Sequence, residues 1–519
     1  MELPDSAKPV LLATTPDDHR QSPSVTAESN AGAQSQGHLP SVFVFNPFAE
    51  GRIARGKSFT PVKSQTLLAS DLANLPQFLC RPEDIVLVAK RPAGEFLRAL
   101  KEAGFPLPEF VELKQGRLDP ASSLCQRKLG RLRPWAWGPD SLELLEPLFA
   151  QVTGEARTAS QCFNKTIARL YSKGWSAEFL RTVLARNRAS AAAHPSGREK
   201  GSFAAAAAPA AWLCSEHEVG VAVDTLEGAL EALAAIRRRG HHRVVAKEAH
   251  GLAGHNAIRL WEPEVLPAQR RWLAQALQQG RQLVIEPWLE RELDFSVQLE
   301  MGPRRLRLCG YTGLINDRKG QFQANWAAAN CDRRFPADVA ALFCEPADIA
   351  ARLQRFYEDI LSLLEAELQR AGWVGPVSID AFVYRAPEGG CRLKPVVEIN
   401  PRYTMGRLTL ALMKHVCPGS CGRFRLVSRG QARAEGFADF PSYALSLSER
   451  FPLRLEGAPG PRIRAGALCL NDPAQAQGCL ATFQVSRALH PPPLPPPGGQ
   501  VARLATAESP TSAFAGVGV

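Results

Sequence analysis

The chain has 519 residues, 45% of them hydrophobic and 22% charged, with a formal net charge of +11. That length exceeds one ordinary domain, and the balance excludes a wholly disordered or membrane-embedded chain. The positive charge comes from dispersed arginines without an aromatic-interleaved basic motif, so anionic small molecules are expected as partners rather than nucleic acid.

Residues 1–40 are rich in Ser, Pro, Ala, Gln and Asp without periodicity, which predicts a disordered segment. No charged start followed by a long apolar block is present, so no secretory signal is read and the cytoplasm is the expected address. The 12 cysteines include no CxxC pair and fit reduced thiols. His415, Cys417 and Cys421 lie close together, but their spacing is unusual for zinc and no second ligand pair follows.

A first α/β unit is expected over 41–155. It opens with SVFVF at 41–45 and continues with DIVLVAK at 84–90, a helical GEFLRALKEAGF and a short EFVEL, a βαβ pattern. Within it, Gly51 to Ser58 fits the P-loop expression GxxxxGK[ST] letter for letter. Asn46 and Pro47 interrupt the strand too early, and Pro61 blocks the helix that should leave from Lys57-Ser58, so a P-loop NTPase is the weaker reading.

A second unit is expected over 156–425, with an exposed Ala/Ser/Pro-rich insertion at 187–211. The longest apolar run, Phe203 to Cys214, is mostly alanine and broken by Pro209, so no membrane span is predicted. Asp224 and Glu227 read as a capping pair ahead of an amphipathic helix that ends at Gly240. The strand RVVAK then ends in Lys247, and Gly251 and Gly254 follow in a loop able to bring backbone amides to phosphate oxygens.

The connector EPWLERELDFSV at 286–297 could hold an adenine ring against Trp288 and Leu289, with Asp294 near a ribose. A long helix from residue 348 carries Leu353, Phe356, Ile360, Leu364 and Leu368 on one stripe and is expected to stop at Gly372. Two strands, VSIDAFVY and CRLKPVVEIN, are joined by RAPEGG. A turn centred near Gly389 sets Asp380 opposite Glu398, and the two-residue period puts Asn400 on the same face. Opposed like charges destabilise a sheet unless a cation lies between them, and three hard oxygen donors suit magnesium. Residues 426–487 read as a C-terminal extension, and 488–519 as a Pro-rich disordered tail.

In this order, the lysine strand, glycine loop, acidic connector and final Asp, Glu and Asn resemble the ATP-grasp superfamily over about residues 160–410, with EINPRY the most specific string. The resemblance implies two α+β lobes gripping ATP, preceded by a small pre-ATP-grasp domain. It assigns ATP phosphates to Lys247, adenine to Glu286 and Leu289, ribose to Asp294, and magnesium, with manganese as a substitute, to Asp380, Glu398 and Asn400. Arg402 would face the transferred phosphate. Of two early lysines, Lys165 is the first choice for ATP and Lys173 the reserve, while Arg407 is a candidate for the substrate carboxylate.

Ser378 stands where D-alanine ligases carry arginine, which argues against those ligases. The implied activity is ATP- and Mg2+-dependent activation of a carboxylate as an acyl phosphate, opened by an amine or another nucleophile. A catalytically silent nucleotide-binding scaffold is the alternative. A substrate wall is sought in 311–335, at Asn316, Asp317, Trp326 and Arg333, and a homodimer is compatible with the sequence.

Overall fold

The computed structural model describes residues 38–154, 157–193, 212–251, 256–261, 263–316, 322–329, 339, 349–457 and 460–487. The elements below all belong to the unit Leu39–Val519. The expected disordered segment up to residue 37, most of the insertion (194–211), Gly254, Asp317, Arg333 and the tail from 488 lie outside the described residues.

Strands β1 (Val42–Val44), β2 (Ile85–Val88), β3 (Glu109–Glu112) and β4 (Leu132–Pro134) form a parallel sheet in the order β3-β2-β1-β4. The inner strands β1 and β2 are buried throughout, which is why VFV and IVLV are unbroken apolar runs. The P-loop-like string forms no loop after a strand. It lies in the helix Ala49–Arg55 and the 3-10 turn Gly56–Ser58, with Lys57 exposed.

Strands β5 (Val221–Val223), β6 (Arg243–Glu248), β7 (Ala257–Trp261) and β8 (Leu283–Pro287) form a second, antiparallel sheet in the order β5-β8-β6-β7. Leu233 and Ile236 of the helix Leu226–Arg238, and Leu273 and Leu277 of the helix Pro267–Gln278, share its core. Thr225, rather than Asp224, caps the first of these helices by accepting the Gly228 N–H at 3.0 Å. Gly240 follows that helix at φ +90°, a left-handed conformation open to glycine.

The third sheet has nine strands, all antiparallel. They are β9 (Glu290–Met301), β10 (Leu306–Asn316), β11 (Phe322–Ala328), β12 (Gly375–Arg385), β13 (Cys391–Asn400), β14 (Cys421–Ser428), β15 (Arg454–Glu456), β16 (Arg462–Cys469) and β17 (Cys479–Ser486). Their order is β13-β12-β9-β10-β11-β14-β17-β16-β15. Strand β14 runs across the boundary expected at residue 425, and β15 to β17 continue the same sheet, so residues 426–487 are built into it.

The helix Ile349–Ala371 buries the expected stripe of Leu353, Phe356, Ile360, Leu364 and Leu368. The helix Lys173–Ala193 runs through residue 187, where the insertion was expected to begin. Among the described residues no helix is long and apolar enough to cross a membrane. One core joins Val42, Val44 and Leu87 of the parallel sheet to Val297, Ile379 and Ile399 of the large one. A mixed α/β architecture therefore stands as expected, with the two antiparallel sheets walling a common cleft.

Candidate functional site

The cleft has a volume of about 510 Å³. The second sheet contributes Val245, Lys247, Ile258 and Arg259 to its lining, and the large sheet contributes Asp294, Asp380, Glu398 and Asn400. Val245, Ile258, Leu314, Phe382 and Val397 make one part of it apolar, while the carboxylates and Lys173 make the other polar.

Asp380 pairs with Glu398, and Ser378 with Asn400, as the sequence arithmetic expects. The cause is less simple than that arithmetic. Near the turn Arg385 faces Cys391 and Phe382 faces Lys394, a register that continued unbroken would set Asp380 against Val396. A bulge on β13 shifts the register by two residues, so the same face is kept and the carboxylates still meet. The bulge contains Pro395, which has no N–H for the ladder and whose carbonyl accepts the Tyr357 hydroxyl at 3.0 Å.

Burial, and then the Glu398 charge, push the Asp380 carboxyl up to about 6, although Ser296 and Asn400 hydrogen-bond to it. Asn400 Nδ2 donates to Asp380 Oδ2 at 3.0 Å. Lys173 Nζ lies 2.8 Å from Glu398 Oε1 and donates to the Gly251 carbonyl at 2.7 Å. Of the two early lysines, Lys173 is the one that lines the cleft. Lys165 is exposed in the helix Lys165–Leu170 and does not line the cleft. Lys173 has the better position because its backbone N–H is hydrogen-bonded to Ala249 beside the glycine loop.

Lys247 lines the cleft and forms an ion pair with Glu286, which also meets Lys394 Nζ at 3.0 Å. Burial alone would raise the Glu286 carboxyl, but the two ammonium groups prevail and hold it well below the usual carboxylate range. Glu286, the residue read for adenine, uses both carboxylate oxygens on lysines and does not line the cleft. Leu289, expected beside it, is 7% exposed and packs in the core rather than lining the cleft.

Trp288 does line the cleft, with the Arg259 guanidinium 4.7 Å from its ring centre. Asp294 also lines it and accepts from Arg291 Nη1 at 2.9 Å. Arg407 does not reach the cleft, because Glu300 holds it at 2.9 Å. Asn316 lines the cleft, but Trp326 is 4% exposed and lies over Gly313, on the neighbouring strand.

Arg402 reaches the site through contacts that no local string announces. Residues 135 and 136, just beyond β4, pair with 402 and 403, and Glu50 Oε1 accepts from Arg402 Nε at 2.7 Å. Arg402 Nη2 then donates to Asn400 Oδ1 at 3.0 Å, joining the parallel sheet to the carboxylate face. Sequence reasoning missed Glu50 altogether, since its only local signal is an acid in the first turn of a short helix. His415 is hydrogen-bonding distance from the Gly104 carbonyl, 3.1 Å, rather than in a zinc set. Among the described residues no cluster of three or more His, Cys, Asp and Glu is placed to hold a metal.

No protein-family model matches the sequence, and no curated protein matches it. Among solved structures the chain is similar to N5-carboxyaminoimidazole synthetase from Staphylococcus aureus, with 9% identity and TM-score 0.41 over 87% of this chain and 94% of that one. It is also similar to the biotin carboxylase–β,γ-ATP complex from Campylobacter jejuni, with 11% identity and TM-score 0.42 over 86% and 87%. N5-carboxyaminoimidazole synthase from Aspergillus clavatus, in complex with ADP and 5-aminoimidazole ribonucleotide, gives 11% identity and TM-score 0.39 over 87% and 95%.

Proposed function

We propose that the chain is an ATP-grasp ligase that activates a carboxylate with ATP and magnesium and passes the acyl group to an amine. The observation that carries this reading is the opposition of Asp380 and Glu398 on the polar wall of the cleft, with Lys173 and Lys247 beside them.

Two carboxylates and the Asn400 amide oxygen are the hard donors magnesium takes, and magnesium commonly uses one or two protein carboxylates with phosphate oxygens and water completing the shell. Burial, and then the facing Glu398 charge, raise the Asp380 carboxyl to about 6, and a divalent cation between the two acids would relieve that repulsion. Bound there, magnesium would neutralise phosphate oxygens and align the terminal phosphate.

The apolar part of the cleft, between Val245 and Ile258 on one side and Leu314 and Phe382 on the other, accommodates adenine, with Trp288 at its edge and Asp294 within reach of the ribose. Lys247 and Lys173 supply point charges to the phosphates, and Gly251, close to Lys173, allows the chain to approach them. A substrate carboxylate oxygen forms a bond to the terminal phosphorus as the bond to ADP breaks. The amine nitrogen then bonds to the acyl carbon, phosphate leaves, and the nitrogen gives up a proton. Arg402, held toward Asn400, offsets the charge that gathers on the transferring phosphoryl group.

The test is ADP release from Mg-ATP with pooled carboxylates and amines. Glu398→Gln should lower it about 10²- to 10³-fold, the cost of losing one electrostatic contact to a transition state. Unchanged magnesium-dependent turnover would exclude this reading.

A further inference from the structure

Two buried lysines share one acid behind the cleft. Lys247 on β6 and Lys394 on β13 both pair with Glu286 on β8, each meeting a different carboxylate oxygen. Among the described residues Glu286 is the only acid paired with either lysine. Glu218 lies nearby, but its carboxylate accepts from the Tyr384 hydroxyl and the Ser215 N–H, both at 2.7 Å, and Lys394 Nζ meets its backbone carbonyl instead, at 3.0 Å. With two ammonium groups on one carboxylate, the triad carries one positive charge more than a simple pair.

The two lysines are not equivalent. Lys247 lines the cleft with its side chain 20% exposed, whereas Lys394 is 3% exposed and does not line it. Lys394 Nζ lies 5.8 Å from the centre of the Phe382 ring, and Phe382 is itself in the cleft wall. A buried ammonium is costly even when paired, and an apolar side chain at 394 would leave Lys247 and Glu286 as a neutral pair. In a weakly screened site such a pair would hold Lys247 firmly, because the whole carboxylate charge would act on one ammonium. Divided between two, it holds each less. Burial lowers the Lys247 ammonium below its ordinary range despite the Glu286 charge, and Arg291 and then Lys394 add to the lowering.

We propose that Lys394 is a positioning residue for nucleotide binding: by sharing Glu286 it loosens the hold of that acid on Lys247 and leaves the Lys247 ammonium available to the ATP phosphates. This role depends on the phosphate contact proposed above for Lys247. When nucleotide binds, phosphate oxygens take over as partners of Lys247, and Glu286 keeps Lys394 as its own, so neither the acid nor the inner lysine is left buried without an opposite charge.

Equilibrium binding of a fluorescent ATP analogue with magnesium to the full chain, corrected for folded fraction by circular dichroism, provides the test. Lys394→Gln removes the charge and keeps a donor for the Glu218 carbonyl, and it should weaken the analogue about tenfold, as should Lys394→Met. Adding Glu286→Gln to Lys394→Gln frees Lys247 again and should restore most of the lost affinity, which a merely structural role for Lys394 would not do. Lys247→Met is the reference and should weaken binding at least as much as Lys394→Gln. Wild-type affinity in the Lys394 variants while Lys247→Met is weakened would overturn the role of Lys394 alone, as would a double variant no better than Lys394→Gln. Wild-type affinity in Lys247→Met would overturn it together with the phosphate role of Lys247.

Discussion

Asp380 and Glu398 face each other across β12 and β13, and each is met by a different stabilising neighbour, Asn400 for the first and Lys173 at 2.8 Å for the second. Burial first, and then repulsion from Glu398, raise the Asp380 carboxyl to about 6 from an ordinary 3.8.

A raised acid loses stability on ionising. Below about pH 4 both folded and unfolded Asp380 hold the proton, whereas between about 4 and 6 the unfolded chain releases it first and stability falls as pH rises. The Asp380 contribution to the thermal stability of the metal-free protein should therefore be smaller at pH 7 than at pH 4. Asp380→Asn should remove that component, and Mg-ATP should offset it. A metal-free Asp380→Asn protein with the same pH slope as wild type would contradict the assignment.

Lys173 and Lys165 make a paired prediction. Lys173→Ala should weaken Mg-ATP binding about tenfold or more, since it removes the cation beside Glu398 to which the proposed function gives the phosphates. Lys165→Ala, on an exposed helix, should shift stability by no more than about 0.5 kcal/mol and leave nucleotide affinity unchanged. Equilibrium binding of a fluorescent ATP analogue reads both.

The contrast between these lysines shows where the sequence was informative. Residues whose roles follow from strand periodicity were legible: Asp380, Glu398 and Asn400 share a face because side chains alternate, and a two-residue bulge does not change the face. Residues whose roles depend on contacts across the fold were not. Lys173, only the reserve choice, is placed by Ala249, far along the chain, and Glu50, which holds Arg402 from the helix Ala49–Arg55, was not read at all. Glu286 and Leu289 do not line the cleft, since the first pairs with Lys247 and Lys394 and the second packs in the core. The continuation of the large sheet through β14 to β17 rests on pairings between distant strands, which local patterns do not specify.

Gly313 predicts a stability effect without a charge. A Cβ added there would stand 1.9 Å from Trp326 Nε1, and Trp326 is itself buried on the adjacent strand, so the ring cannot swing into solvent. Gly313→Ala should cost about 1–3 kcal/mol by overpacking. Denaturant unfolding measures it, and a variant as stable as wild type would show that the Trp326 ring can relocate.

Glu50 and Arg402 should behave as one unit. Glu50 is 3% exposed, and its Oε1 holds Arg402 Nε at 2.7 Å while the other end of the guanidinium donates to Asn400. Removing the acid leaves a largely buried cation without its orienting partner, a loss that typically costs about 3–5 kcal/mol when a buried pair is broken. Glu50→Ala should therefore lower both Tm and ATP turnover, whereas Glu50→Gln, which keeps an acceptor, should recover part of each. If Glu50 acts through Arg402, turnover in the Glu50→Ala, Arg402→Ala double variant should be no lower than in Arg402→Ala alone, because the second substitution has nothing left to disturb. Additive losses in turnover at matched folded fraction, followed by steady-state ADP release and circular dichroism, would instead give Glu50 an effect independent of the arginine it holds.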